Sequence, residues 1–181
     1  MEARECIASR RSVRSYLDAD ILDEEILDIL EFARFAPSWA NTQCMRYAVV
    51  RDSETRNALA DTMSANNPGT AAVRSAPAVV AFLAKSGLAG HKKGKPVDDL
   101  SWLMFDAGAA VQTFCLAAHD KGFGTVIVGY FDHGKAASAL GLPQDMEVVA
   151  FTPIGYPAAK PTAPSRKEAA ELLWRRPGQD R

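Results

Sequence analysis

Residues 100–121 read LSWLMFDAGAAVQTFCLAAHDK, a run that is apolar or small on nearly every side of a helix and stops at Gly122. A helix on the surface of a monomer carries one apolar stripe and a charged back. Here Leu103, Met104, Phe105, Val111, Phe114, Cys115 and Leu116 point in all directions, and only Asp106, Gln112 and Thr113 interrupt. Lys121 complements the negative end of the helix dipole, and Gly122 supplies the left-handed residue through which the chain leaves. The length suits a membrane span, but a central Asp106 costs several kcal/mol in lipid and no second hydrophobic segment accompanies it. The run is therefore expected to be a long buried core helix. Ala107, Gly108, Ala109, Ala110, Ala117 and Ala118 let another backbone come close, and all-round burial in so short a chain implies that a second subunit supplies part of the cover.

The 181 residues suffice for one domain with a real core and leave no room for a second, so residues 1–181 are expected to form a single unit. With 48% hydrophobic and 24% charged residues the composition is globular, which excludes disorder as the main state. A net charge of -1 gives no bulk attraction to nucleic acid or anionic membrane, so any anion site must be local. The N-terminal residues lack the apolar core of a signal peptide, and Cys6, Cys44 and Cys115 are too few and scattered for a disulfide framework. A cytoplasmic protein with free thiols is expected.

Outward from the core helix, residues 124–129 read as a strand, 132–140 as a short helix closed by Gly141, and 147–154 as a strand ending in Gly155-Tyr156-Pro157. A proline-rich arm follows from about residue 158 to 181, with a short helix at 167–174; it cannot pack on itself and is expected to wrap this subunit or a partner. On the N-terminal side, residues 86–96 hold three Gly and the basic group His91-Lys92-Lys93-Lys95 and read as a mobile loop. Residues 77–84 read as a buried strand, 66–69 as a turn, and 54–63 as a helix capped by Ser53. A strand is expected at 46–50, after a loop of hydrogen-bonding side chains at 36–43. Residues 23–36 have helical apolar spacing, with Asp23 as N-cap and Pro37 as the stop, and residues 2–11 form a short helix ending in Arg10-Arg11-Ser12-Val13-Arg14. Helices mixed with strands of no regular alternation indicate α+β and not a doubly wound sheet.

His91, His119 and His133 have no partner ligands at helical or turn spacing, so no metal is expected. No Gly-x-Ser-x-Gly elbow occurs, and Gly122-Phe123-Gly124 precedes a strand where a dinucleotide fingerprint would follow one. The arginine cluster is the unusual feature. Arg10 and Arg11 offer bidentate donors and Ser12 a hydroxyl, enough to surround one phosphate, although such a run taken alone is more often a solvated face.

Together with the loop Ala36-Pro37-Ser38-x-x-Asn41-x-Gln43, the helix motif Asp106-x-Gly108, the Gly122-Phe123-Gly124 exit and the closing Ile154-Gly155-Tyr156-Pro157, the stretch Arg10-Arg11-Ser12-Val13-Arg14-Ser15-Tyr16 resembles the nitroreductase family of FMN-dependent oxidoreductases. The resemblance runs in order over nearly the whole chain. It implies a three-layer α+β fold, a mixed and mainly antiparallel sheet flanked by helices around the buried core helix. It also implies a homodimer with FMN at the interface, and hydride passing from NADH or NADPH through flavin N5 to a nitroaromatic, quinone or similar acceptor.

By the same resemblance, Arg10, Arg11 and Ser12 hold the FMN phosphate, completed by Arg166 with Lys167. Arg14 lies near the flavin pyrimidine edge, where a fixed cation stabilises the negative charge left by reduction. Pro37, Ser38 and Asn41 reach the flavin from the other subunit, Gln43 braces that loop, and the Gly129 backbone N–H points at N5. This chain departs from the family pattern in three ways. Cys44-Met45 replaces Pro and an aromatic residue, Trp39 replaces a small one, and the insertions that cover the flavin shrink to residues 86–96. Trp39 either walls the substrate pocket or packs on the fold, and the lysines of 86–96 either meet the 2′-phosphate of NADPH or are simply solvated. The family also includes dehalogenating and dehydrogenating enzymes, and an FMN binder without NAD(P)H turnover is a further alternative.

Overall fold

In chain order the elements are α1 (Ala3–Ser9), α2 (Asp23–Ala33), a 3-10 turn (Trp39–Asn41), β1 (Met45–Val50), α3 (Ser53–Asp61), α4 (Thr70–Ser75), β2 (Ala78–Lys85), β3 (His91–Lys92), β4 (Lys95–Pro96), α5 (Trp102–Asp120), β5 (Gly124–Thr125), α6 (His133–Ala139), β6 (Met146–Gly155) and α7 (Ala169–Leu172). This computed structural model describes residues 1–176, so the end of the expected arm, 177–181, lies outside the described residues. The main sheet has strand order β1-β2-β6-β5 and is antiparallel throughout, with one parallel bridge, Ser12 to Thr125, at its edge.

β2 and β6 show no alternation because both faces of the sheet are covered. Ala78, Val80 and Phe82 face α2 and α5, packing with Ile26, Ile29 and Phe114. Val79, Ala81 and Leu83 face the other way, onto Leu59, Val73, Phe131 and Ala136 from α3, α4, the loop before α6 and α6 itself. Three layers result. α5 is the long buried helix, starting at Ser101, whose hydroxyl accepts from the Met104 N–H, and leaving through Gly122 at φ 86°. Within one chain its burial is incomplete, because Met104, Phe105, Gly108 and Gln112 form an exposed stripe. No helix among the described residues is long and apolar enough to cross a membrane.

Several boundaries differ from expectation for local reasons. α2 begins on Asp23 with Leu22 as its cap residue, the Glu25 carboxylate taking the Leu22 N–H at 2.7 Å, and ends at Ala33. α3 is capped by Asp52, not Ser53, with Oδ1 2.7 Å from the Thr55 N–H. α4 is an additional short helix. β5 stops at Thr125, because the Val126 N–H turns to the Thr152 hydroxyl, and pairing resumes only at Val128. Residues 86–96 are not a structureless loop but carry the β3–β4 hairpin, and the C-terminal helix is confined to α7.

Candidate functional site

The arginine cluster is shaped by Val13. Its N–H donates to the Thr125 carbonyl at 2.9 Å and its side chain is buried against Gly124, where an added Cβ would come within 2.7 Å of it. With Val13 turned inward, extended backbone turns Ser12 and Arg14 the other way. Arg10, Arg11, Ser12 and Arg14 then line a cavity of about 340 Å³ whose opposite wall is Pro161, Thr162, Pro164 and Arg166. The arm is brought there by a Tyr16–Pro157 bridge and by bonds from the Leu17 N–H to the Tyr156 carbonyl and from the Ala158 N–H to the Ser15 carbonyl. Residues 161–166 thus wrap their own subunit. Lys167 is exposed and stands outside the lining.

Four arginines therefore line one cavity, and none makes an ion pair among the described residues. Their hydrogen bonds go to carbonyls: Arg11 to Ala8 and Arg10, each at 2.7 Å, and Arg166 to Ser165 at 3.1 Å. The field reaches His119, whose Nε2 lies 2.8 Å from the Ser9 hydroxyl. Burial, then Arg10 and Arg11, push its pKa below the ordinary histidine value. Tyr16 braces the corner, its hydroxyl donating toward the Val13 and Pro153 carbonyls, and burial raises its pKa.

The second candidate group lies elsewhere. In the loop after α2, the Trp39 N–H donates to both carboxylate oxygens of Asp106, at 2.9 and 3.0 Å. The Gln43 N–H donates to the Ser38 hydroxyl at 3.0 Å, and its side-chain amide reaches Asn41 Oδ1 at 3.4 Å. Ala40, Asn41 and Gln43 have φ of 46°, 55° and 49°, a strained path that these bonds hold in place. Pro37, Ser38, Gln43, Tyr47 and Asp106 line a small cavity of about 120 Å³, while Asn41 is exposed outside it. Trp39 is half-buried and is not part of that lining. Cys44 enters β1 directly; its carbonyl accepts the Lys85 N–H at 2.9 Å and its buried thiol faces Asp106 Oδ2 at 3.7 Å, with burial and then that carboxylate raising its pKa. Gly129 is exposed beside Val128, with nothing within 4 Å of where a Cβ would stand.

α5 measures the distance between the groups. The loop is anchored at Asp106, whereas α1 and the arginines are tied near the other end, through Cys6 Sγ to the Leu116 carbonyl and Ser9 to His119. Ten to thirteen residues of helix separate these ties, about 15–20 Å at 1.5 Å per residue. One chain brings Arg10, Arg11, Ser12, Arg14 and Arg166 together but leaves Pro37, Ser38 and Asn41 apart from them. Sequence reasoning missed Pro161, Thr162, Pro164 and the anchoring role of Asp106. The last had a signal, since an acid inside an otherwise apolar helix must have donors of its own.

A model of the nitroreductase family matches residues 7–73 and 65–156. A protein of Archaeoglobus fulgidus, described as an NADH dehydrogenase/NAD(P)H nitroreductase, is 31% identical over 160 residues, 86% of each chain. An NADPH-flavin oxidoreductase of Vibrio harveyi is 29% identical over 171 residues, 91% of this chain and 70% of that one. Among solved structures, a nitroreductase of Desulfovibrio desulfuricans in complex with FMN superposes with a TM-score of 0.80 at 32% identity, covering 98% of both chains.

Proposed function

The chain belongs to the nitroreductase family, and from that membership we propose that it is an FMN-dependent NAD(P)H oxidoreductase acting as a cytoplasmic homodimer of single-domain subunits. The observation that carries the reading is the lining of one cavity by four arginines without carboxylate partners among the described residues. A phosphate monoester brings a charge of about -1.5 to -2 at neutral pH, and two segments distant in sequence supply the cations and the Ser12 hydroxyl to match it. The residues fit the group. When bound, FMN would supply the redox chemistry that links NAD(P)H to a nitroaromatic, quinone or similar acceptor.

The chain's own residues bind, orient and polarise. Arg10, Arg11, Ser12 and Arg166 hold the phosphate. Arg14, exposed and with a 3.5 Å contact to the Ser12 carbonyl, would supply the cation at the pyrimidine edge. Gly129 leaves its backbone approachable, as a donor toward N5 must be. Pro37, Ser38 and Asn41 serve the partner's site. Their separation from the arginines by most of α5 favours this arrangement, because one chain alone does not bring the two groups together, and the exposed Met104, Phe105, Gly108 and Gln112 stripe offers a face on which a second copy can pack.

The test is to load the protein with FMN, remove what is unbound, record the flavin spectrum and ratio, and then mix anaerobically with NADH or NADPH. About one flavin per chain that bleaches on mixing is expected. Flavin that stays oxidised would make the protein a binder only, and a folded sample that retains none would return the arginines to a solvated face.

A further inference from the structure

The C-terminal arm is fastened at its root and hardly beyond it. Tyr16 bridges to Pro157, and the Ala158 N–H donates to the Ser15 carbonyl at 3.0 Å. From Ala158 to Ala170 every residue is exposed except the half-buried Pro161. Among the described residues, 159–168 make no hydrogen bond or ion pair with the body. Arg166 donates to the Pro164 and Ser165 carbonyls, and the Glu168 N–H to the Glu171 carboxylate, all within the arm. Pro157, Pro161 and Pro164 keep so sparsely attached a stretch extended and stiff, so that it moves as a strap about its root.

The cavity between strap and body has positive charge on both sides. Arg10, Arg11 and Arg14 belong to the body and Arg166 to the strap, around a volume of about 340 Å³. A sphere of that volume is about 9 Å across, close to the Debye length of about 10 Å at 0.1 M salt, so repulsion between the two walls is only partly screened. Each wall keeps its guanidiniums on its own carbonyls, Arg11 on Ala8 and Arg10, Arg14 on Ser12, Arg166 on Pro164 and Ser165. No hydrogen bond between described residues crosses the gap. A phosphate monoester, with nearly two charges and three acceptor oxygens, is a group that can bond to both walls at once.

Resting on the reading of this cavity as the FMN phosphate site, we propose that residues 158–168 form a phosphate-latched strap. The anion accepts from Arg166 on one side and from Arg10, Arg11 and Ser12 on the other, and draws the strap closed. Without it, like charge parts the walls and the strap swings out about Pro157, opening the way by which the cofactor enters and leaves. The phosphate thereby governs access to the site as well as affinity for it, and a flavin that lacks the phosphate finds the strap open.

The experiment is limited trypsin digestion of the full chain freed of flavin, with cleavage after Lys167 followed by mass and cleavage after Lys121 in the body as the control for folding. Lys167 is exposed just beyond the cavity lining, whereas Lys160 is followed by proline, which resists trypsin. Cleavage of a folded chain tracks the population of its open form. Relative to chloride at the same ionic strength, saturating inorganic phosphate and FMN are each expected to slow the cut about tenfold or more, and riboflavin to leave it unchanged. In Arg166→Gln the protection by phosphate should disappear while FMN dissociates about tenfold faster. A cut as slow in chloride as in phosphate, protection by riboflavin equal to that by FMN, or protection by phosphate that survives in Arg166→Gln overturns the strap. Failure of the underlying function looks different: phosphate would still slow the cut, but FMN would not be retained or NAD(P)H would not bleach it.

Discussion

Arg10 and Arg14 stand two residues either side of Ser12 yet have different surroundings. Arg10 caps α1 and is half-buried, whereas Arg14 is exposed and loosely tied. Arg10→Ala is expected to raise the FMN dissociation constant about tenfold or more, the cost of a charge-assisted hydrogen bond, while leaving the reduction rate of flavin still bound little changed. Arg14→Ala should do the reverse, slowing reduction about tenfold with a smaller effect on binding. Fluorescence titration and stopped-flow absorbance separate the two, and equal effects of both changes would end the division of roles. His119 gives a pH signature. Burial and the two arginines depress its folded pKa, so as pH falls below about 6.5 the unfolded chain takes up the proton first and stability declines, levelling once the folded pKa is passed. Chemical denaturation across that range should show the decline, and His119→Gln should flatten it; an identical slope in the variant would place the titration elsewhere. Gly124→Ala, by contrast, is a purely steric change, expected to cost about 1–3 kcal/mol or more because the Val13 side chain cannot withdraw from a 2.7 Å approach.

At the scale of elements, Asp106 links helix to loop. Asp106→Ala orphans the Trp39 N–H and is expected to lower stability by about 1–3 kcal/mol and to loosen flavin retention as well. Asp52→Ala, which removes the α3 cap on the far side of the sheet, should cost about 1 kcal/mol and leave retention unchanged. Urea unfolding with a flavin-retention assay on both variants distinguishes them, and equal loss of flavin would deny the loop its role. The same elements show what was legible in the sequence. The exit of α5 was legible because Gly122 closes an apolar run, whereas its start was set two residues early, at Leu100, because the apolar run continues past the Ser101 cap. The cap of α3 was displaced by one residue because Asp52 and Ser53 compete for the same amides, and that of α2 because the Glu25 carboxylate, one turn in, takes the Leu22 N–H. The hairpin was hidden because Lys93-Gly94 makes its turn without the usual Asn or Asp, and β5 was overextended because nothing in residues 126–129 announces that the Val126 N–H would prefer a threonine hydroxyl. The arginines stood out as a cluster. The arm residues opposite them did not, because only the folded path past Tyr16 brings them near.

For the whole molecule, separation of the two groups along α5 makes a prediction about mixtures. At an FMN concentration too low to load either variant alone, Arg10→Ala and Asp106→Ala subunits are mixed after dissociation and reassembled. In half of the resulting dimers one site is intact, so about a quarter of native activity should return. No recovery, in dimers shown by mass to be mixed, would mean that each site is built within one chain. The three cysteines carry a consequence of another kind. Cys6, Cys44 and Cys115 are free and buried, and burial raises the pKa of each thiol, so none can meet an alkylating reagent until its surroundings open. Cys6 becomes reachable when α1 lifts from α5, Cys44 when the strained loop lets go, and Cys115 only when the central helix leaves the sheet. Timed alkylation followed by mass spectrometry would therefore read out, from the native chain and with no label added, the order in which this architecture comes apart.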